Sequence, residues 1–272
     1  MDLKDNFKDF IELYLFYREF LLRRLSKSKN EMKPLKIALT SVCATLYAGL
    51  GYLTYLGIFT PVIGVVRFWP VVIVPAVFSM IFGPLVGGIG AAIGIFISDL
   101  AIHGNALLSL VVGVPANFIC FYLIGFFGNK NFNWKIVSIV STILSIAIVL
   151  IAYNAYIFGT LSYEVMLVFI GTCVFSYLLL LVIGFLKSEW RSYEIACFIG
   201  LIFGSLIIGF GVWGFSQFFV LPQTAGGGYK LPFYASLVWF IWTFLTEIPF
   251  LLTLGPPIIS AIYKAFPSLK KA

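Results

Sequence analysis

Histidine occurs once in this chain, at position 103, and aspartate and glutamate together number 11. So few ligating groups exclude a histidine-rich zinc or haem centre, and neither H-E-x-x-H nor G-x-S-x-G appears. The four cysteines, Cys43, Cys120, Cys173 and Cys197, are scattered through apolar runs. Without paired spacing they read as small core residues, not as a metal or redox motif. No glycine-rich stretch ends in G-K-S or G-K-T, so the chain has no Walker-type site with which to hydrolyse ATP. No cofactor, metal or enzymatic centre is expected. Charge is scarce throughout: 11% of residues are charged, against 61% hydrophobic and 18% aromatic. That balance lies outside the range of soluble domains and implies a polytopic membrane protein.

A helix needs about 20 apolar residues to cross a ~30 Å hydrocarbon core. Runs of that length bounded by charge, proline, glycine or asparagine lie near 35–57, 66–82, 84–102, 106–127, 136–158, 164–186, 195–220 and 235–263. The fold class is therefore an all-α transmembrane bundle of about eight spans, occupying residues 34–272. Lysine and arginine orient it, because cytoplasmic loops are the basic ones. With both termini cytoplasmic, only Arg67 and Lys230 of the 18 basic residues fall outside. An odd number of spans would strand the C-terminal lysines on the wrong side, which favours eight over seven. The expected location is the cell membrane, and the net charge of +7 reports topology and attraction to anionic lipid, not nucleic acid.

Residues 1–33 form a separate arm. Leu3, Phe7, Phe10, Tyr14, Tyr17, Leu21 and Leu25 recur at spacings of three and four, with Lys4, Lys8, Asp9, Glu12, Arg18 and Arg23 on the other face. This amphipathic pattern describes a helix lying in the cytoplasmic interface, with docking to a cytoplasmic partner as the alternative. In the first span Thr40, Ala44 and Ala48 are four apart and Gly51 continues the row. Small residues at that spacing let a second helix approach closely, whether from the same chain or from another.

From Phe68 to Ser98 the chain carries no charge, and Gly83-Pro84 interrupts the run near its midpoint. As one helix the stretch would measure about 46 Å, well beyond a bilayer core. It should fold back at Gly83-Pro84 and return Arg67 and Asp99 to similar depths on one side. Ionised groups at membrane depth are costly unless paired or wetted, so the two form either a structural ion pair or a polar ligand site.

The run FTPVIGVVRFWPVVIVPAVFSMIFGPLVGGIGAAIGIFISD, preceded by IALTSVCATLYAGLGYL, resembles the N-terminal half of the substrate-capture S components of energy-coupling factor (ECF) transporters. The shared pattern is an Ala-x-x-x-Ala first helix, a proline-containing second helix ending in F-G-P, and a glycine-rich third helix ending in an acid. LTEIPFLLTLGPPIISAIYK is similar in style to the family's last helix. The likeness covers residues 35–127, and 235–263 more weakly. It implies a membrane-embedded binding subunit for a vitamin or similar micronutrient, served by a transmembrane coupling subunit and cytoplasmic ATPases. It also implies that Ala44 and Ala48 face the coupling subunit. The family has six helices, so the spans near 136–158 and 164–186 are read as an inserted pair.

The polar residues at membrane depth are the candidate substrate ligands. Asp99 and His103 lie four apart on one helical face, followed by Asn105; they either bind a polar heterocycle or cap a loop as a local pair. Arg67 could fork a carboxylate or phosphate, with Trp69 as a stacking surface, or could serve only to neutralise Asp99 or reach lipid headgroups. Glu247 stands about 18 Å down the last span, so it requires a partner or a proton. Asn117, beside Pro115, and Gln217 point to the interior, either toward ligand or toward interhelical hydrogen bonds. Trp213, Tyr234, Trp239 and Trp242 form either an aromatic box or an interfacial belt. The loop Leu221–Pro232, with three glycines from Gly226 to Gly228, could act as a lid.

Three functions are weighed. The first is a solute-capture subunit of an ECF-type transporter, binding a small polar or zwitterionic micronutrient from outside. The second is a stand-alone proton-coupled secondary transporter using Glu247 or Asp99, for which an internal repeat is expected and not seen. The third is a lipid-modifying membrane enzyme, which needs a denser set of acids and histidines than this chain holds.

Overall fold

The computed structural model describes residues 34–58, 60–63 and 66–270; the amphipathic arm read at 1–33 lies outside them. Two units are distinguished, one ending at Leu39 and a main one, Thr40–Ala272. The core and the cavity belong to the second. The helices are α1 (Pro34–Tyr55), α2 (Ile73–Phe82), α3 (Pro84–Ile102), α4 (Ala106–Phe127), α5 (Trp134–Ile157), α6 (Tyr163–Leu186), α7 (Arg191–Phe218) and α8 (Tyr234–Ala265). Seven of them, all but α2, are long and apolar enough to cross a membrane. The protein is a multi-pass helical membrane protein, and these seven begin and end within a few residues of the apolar runs that announce them.

The span read at 66–82 is the exception. Val62–Ile63 (β1) and Val66–Arg67 (β2) pair antiparallel, and a 3-10 turn over Pro70–Val72 leads into α2. The apolar helix here, Pro70–Phe82, is therefore shorter than a full span. Extended backbone survives at membrane depth only where protein satisfies its polar groups. That condition holds: Phe68 N–H donates to the Pro61 carbonyl at 3.0 Å, and Trp69 N–H donates to the Thr246 carbonyl at 3.1 Å. Met80 near the end of α2 shares a cavity of about 290 Å³ with Gly128 and Asn129 after α4, Trp190 and Tyr193 at the start of α7, and Lys264 at the end of α8.

The reversal at 83–84 follows from its residues. Gly83 has φ +106, a conformation closed to L side chains, and Pro84 occupies the first turn of α3, where its missing N–H costs nothing. Helix α4 packs on α2, α3 and α7, while α7 packs along α8. Helices α5 and α6 pair with each other and rest on α8, with Phe169 edge-on to Trp242 at 5.1 Å. Trp134 occupies the space above Gly184, and Arg191 Nε donates to the Gly184 carbonyl. Their outer faces, including Ile139, Ile143, Leu178 and Phe185, are exposed and apolar, as lipid-facing surfaces are.

Ala44 and Ala48, expected to face a coupling subunit, lie on the inner side of α1. Both are buried, at 4% and 8% exposure, and α1 meets α3 beside Ala44, where a Cβ at Gly94 would stand 2.8 Å from the Ala44 carbonyl. Their side chains are largely covered within the chain. Small residues on the outward side of α1 include Ser41, Thr45 and Gly49, and a Cβ at Gly49 would meet no atom within 4 Å.

Candidate functional site

A cavity of about 180 Å³ lies among α1, α3, α4, α7, α8 and the segment leading to α2. Its polar lining is Tyr47, Trp69, Asp99, Asn117, Thr243 and Glu247; Ile95, Phe121, Leu201 and Ile208 are among its apolar walls. Helices α5 and α6 contribute nothing to it. Of the residues singled out in the sequence, Trp69, Asp99, Asn117 and Glu247 come together here, whereas Arg67 and His103 do not line it.

Arg67 departs for a backbone reason. The segment is extended, so side chains alternate: Val66 and Phe68 are buried and Arg67 is exposed. Its guanidinium donates to the Tyr55 carbonyl at 3.1 Å. Of the two alternatives read for Arg67 and Asp99, the ion pair is not formed, and each side chain makes local contacts instead. Asp99 accepts the Ser109 hydroxyl at 2.6 Å, and His103 Nε2 stands 3.6 Å from its other oxygen. His103 Nδ1 accepts the Asn105 N–H at 3.1 Å, which leaves the proton of a neutral ring on Nε2, toward Asp99. Asn105 in turn caps α4, its side-chain oxygen accepting Leu108 N–H at 2.9 Å.

Helix α4 is wound as a π-helix from Ser109 to Gly113, a widening that often re-aims side chains at functional sites. It sets Gly113 against Asp99 so closely that a Cβ would lie 2.6 Å from the carboxylate. Asn117, one turn on, donates to the Gly113 carbonyl at 3.0 Å and accepts the Tyr47 hydroxyl at 2.8 Å. This network joins α1 to α4 behind the cavity and holds both side chains in place. Glu247 is different. Only partly buried, because it borders the cavity, it has no hydrogen-bond or ion-pair partner among the described residues.

Other expectations are redirected. Gln217 does not reach the cavity; its amide donates to the Leu231 carbonyl at 2.9 Å, and Trp213 Nε1 donates to the same oxygen at 3.1 Å. These bonds, with Lys230 N–H on the Ser216 carbonyl at 2.7 Å, fasten the 221–232 loop to the end of α7. No residue of that loop lines the cavity. Trp239 packs under the loop with Leu108, Val212 and Phe215, and Trp242 packs on Phe169, so the two form no aromatic box.

One acid escaped the sequence reading. Glu194 is 0% exposed, and neither carboxylate oxygen has a partner among the described residues. Placing the start of the span at 195 left it in a loop; Trp190, an aromatic of the kind that marks the membrane interface, is the signal that would have moved that start upstream. Among the described residues no cluster of His, Cys, Asp and Glu could hold a metal ion. Compared with known proteins, the chain matches no family model, no curated protein and no solved structure.

Proposed function

We propose that the protein is a membrane-embedded solute-capture subunit, working with a transmembrane coupling subunit and cytoplasmic ATPases to drive uptake of a vitamin-like or other small micronutrient. The observation that carries this is the cavity itself. It is enclosed by the segments that resemble an S component and by α7 and α8, and α5 and α6 take no part in it. A six-helix binding core with an accessory pair on its flank accounts for that division. The positive-inside rule turns the cavity's end outward, with Lys130, Lys187 and Lys264 at the cytoplasmic end. The chain has no nucleotide motif, so the energy comes from other subunits. Outward small residues of α1, Thr45 and Gly49 among them, suit close approach by the coupling helix better than the buried alanines do.

A stand-alone proton-coupled transporter is the second reading, favoured by two acids on adjacent helices, Glu247 and Glu194, that have no hydrogen-bond partner among the described residues. The two are separated by assaying solute retained by the purified chain, identified by mass spectrometry. In vesicles containing this chain alone the solute should bind without accumulating, and accumulation should require ATPase and coupling subunits together with ATP. Accumulation by the chain alone that collapses on adding a protonophore would establish the second reading instead.

A further inference from the structure

We infer that the cavity takes a small organic cation, whose N–H donors meet Glu247 and Asp99 while the rings of Trp69 and Tyr47 cover its face. The inference rests on the solute-capture reading and adds to it the charge of the solute. The cavity borders two carboxylates, one from α3 and one from α8, and no Lys, Arg or His lines it. Arg67, the cation best placed in sequence to receive an anion, is outside with its guanidinium on the Tyr55 carbonyl.

The two acids are unequally satisfied. Asp99 has the Ser109 hydroxyl and the His103 ring, while Glu247 has no hydrogen-bond or ion-pair partner among the described residues. A carboxylate withdrawn from water is stabilised by a cation that hydrogen-bonds to it, and none of the described residues supplies one to Glu247. Two donors that could serve an anion are committed, the Tyr47 hydroxyl to Asn117 and the Asn117 amide to Gly113, and the Thr243 hydroxyl is a neutral group that carries no charge to offset an anion. What remains toward the cavity is largely acceptor oxygen and aromatic surface, and ring faces attract cations. An anionic solute would bring a like charge to Glu247, and no cationic side chain lines the cavity to offset it. At about 180 Å³ the space is below the ~300–1,000 Å³ typical of drug-sized sites, so the solute is small.

Benzamidine, benzamide and benzoate share one shape and differ in charge, which makes them a direct probe. Titrated into the purified full-length protein and followed by thermal shift and tryptophan fluorescence, benzamidine should bind at least tenfold more tightly than benzamide, and benzoate should not bind. Glu247→Gln should weaken benzamidine at least tenfold and remove the preference. Benzamide or benzoate binding as well as benzamidine, no binding of benzamidine, or an unchanged preference in Glu247→Gln would each overturn the inference. The ranking of the three probes is read on the wild-type protein, so it holds even if the variant fails to fold. Loss of the cation preference with ATP-dependent uptake intact would remove this inference alone; the converse result would remove the transporter reading alone.

Discussion

Arg67 and Trp69 stand two positions apart, yet only Trp69 reaches the cavity. Both acids of the site were visible in the sequence because a carboxylate in an apolar run is rare and demands an explanation. The direction of Arg67 was not visible, because its apolar neighbourhood reads as helix while its backbone is extended, and the two periodicities aim the same residue differently. Gly113 was equally silent: its value lies in the missing Cβ beside Asp99, a contact between segments that no local pattern records. Glu194 yields a prediction at this scale. A buried carboxyl with no partner forfeits about 1–3 kcal/mol of hydrogen bonding, and methionine fills similar space without polar atoms. Glu194→Met should therefore raise the stability of the detergent-solubilised protein by about that amount, measured as a higher unfolding temperature. A lower one would mean that Glu194 has a partner in the membrane.

Elements were legible in proportion to their length and uniformity. The runs that became α3 to α8 are long and unbroken, and hydrocarbon thickness leaves few choices for such segments. The 66–82 run has the same hydropathy but splits into strand, 3-10 turn and short helix. That division depends on hydrogen bonds to Pro61 and Thr246, the second of them remote in sequence, and hydropathy contains no term for them. The α5–α6 pair shows the opposite case: its two spans are plain in the sequence, whereas their packing on α8 is a contact between segments that no local pattern records. Gly184 tests its separateness. A leucine there would collide with the Trp134 ring, and overpacking of this kind costs about 1–3 kcal/mol. Gly184→Leu should lower the unfolding temperature while leaving benzamidine affinity within twofold of wild type, because neither helix lines the cavity. A large loss of affinity would mean that the pair supports the binding core.

For the molecule as a whole, everything said about inside and outside turns on whether α2 counts as a crossing. Between Ile58 and Lys130 the chain passes through α2, α3 and α4; between Lys130 and Lys230 it passes through α5, α6 and α7. If α2 crosses, each interval holds three passages, so Ile58 and Lys230 share one side and Lys130 takes the other. If α2 does not cross, Ile58 joins Lys130 instead. The meeting of Met80 with Gly128, Trp190 and Lys264 around one cavity argues for the crossing, and the basic residues argue that the shared side of Ile58 and Lys230 is external. Single cysteines at the three positions decide both points, since the native cysteines are buried and should not react with a membrane-impermeant maleimide. Ile58→Cys and Lys230→Cys should label in intact cells, and Lys130→Cys only after lysis. If Ile58→Cys and Lys130→Cys behave alike, both reacting in intact cells or both only after lysis, the protein has seven spans. Labelling of Lys130→Cys alone in intact cells would turn the protein over, giving a cavity that opens to the cytoplasm and cannot capture solute from outside.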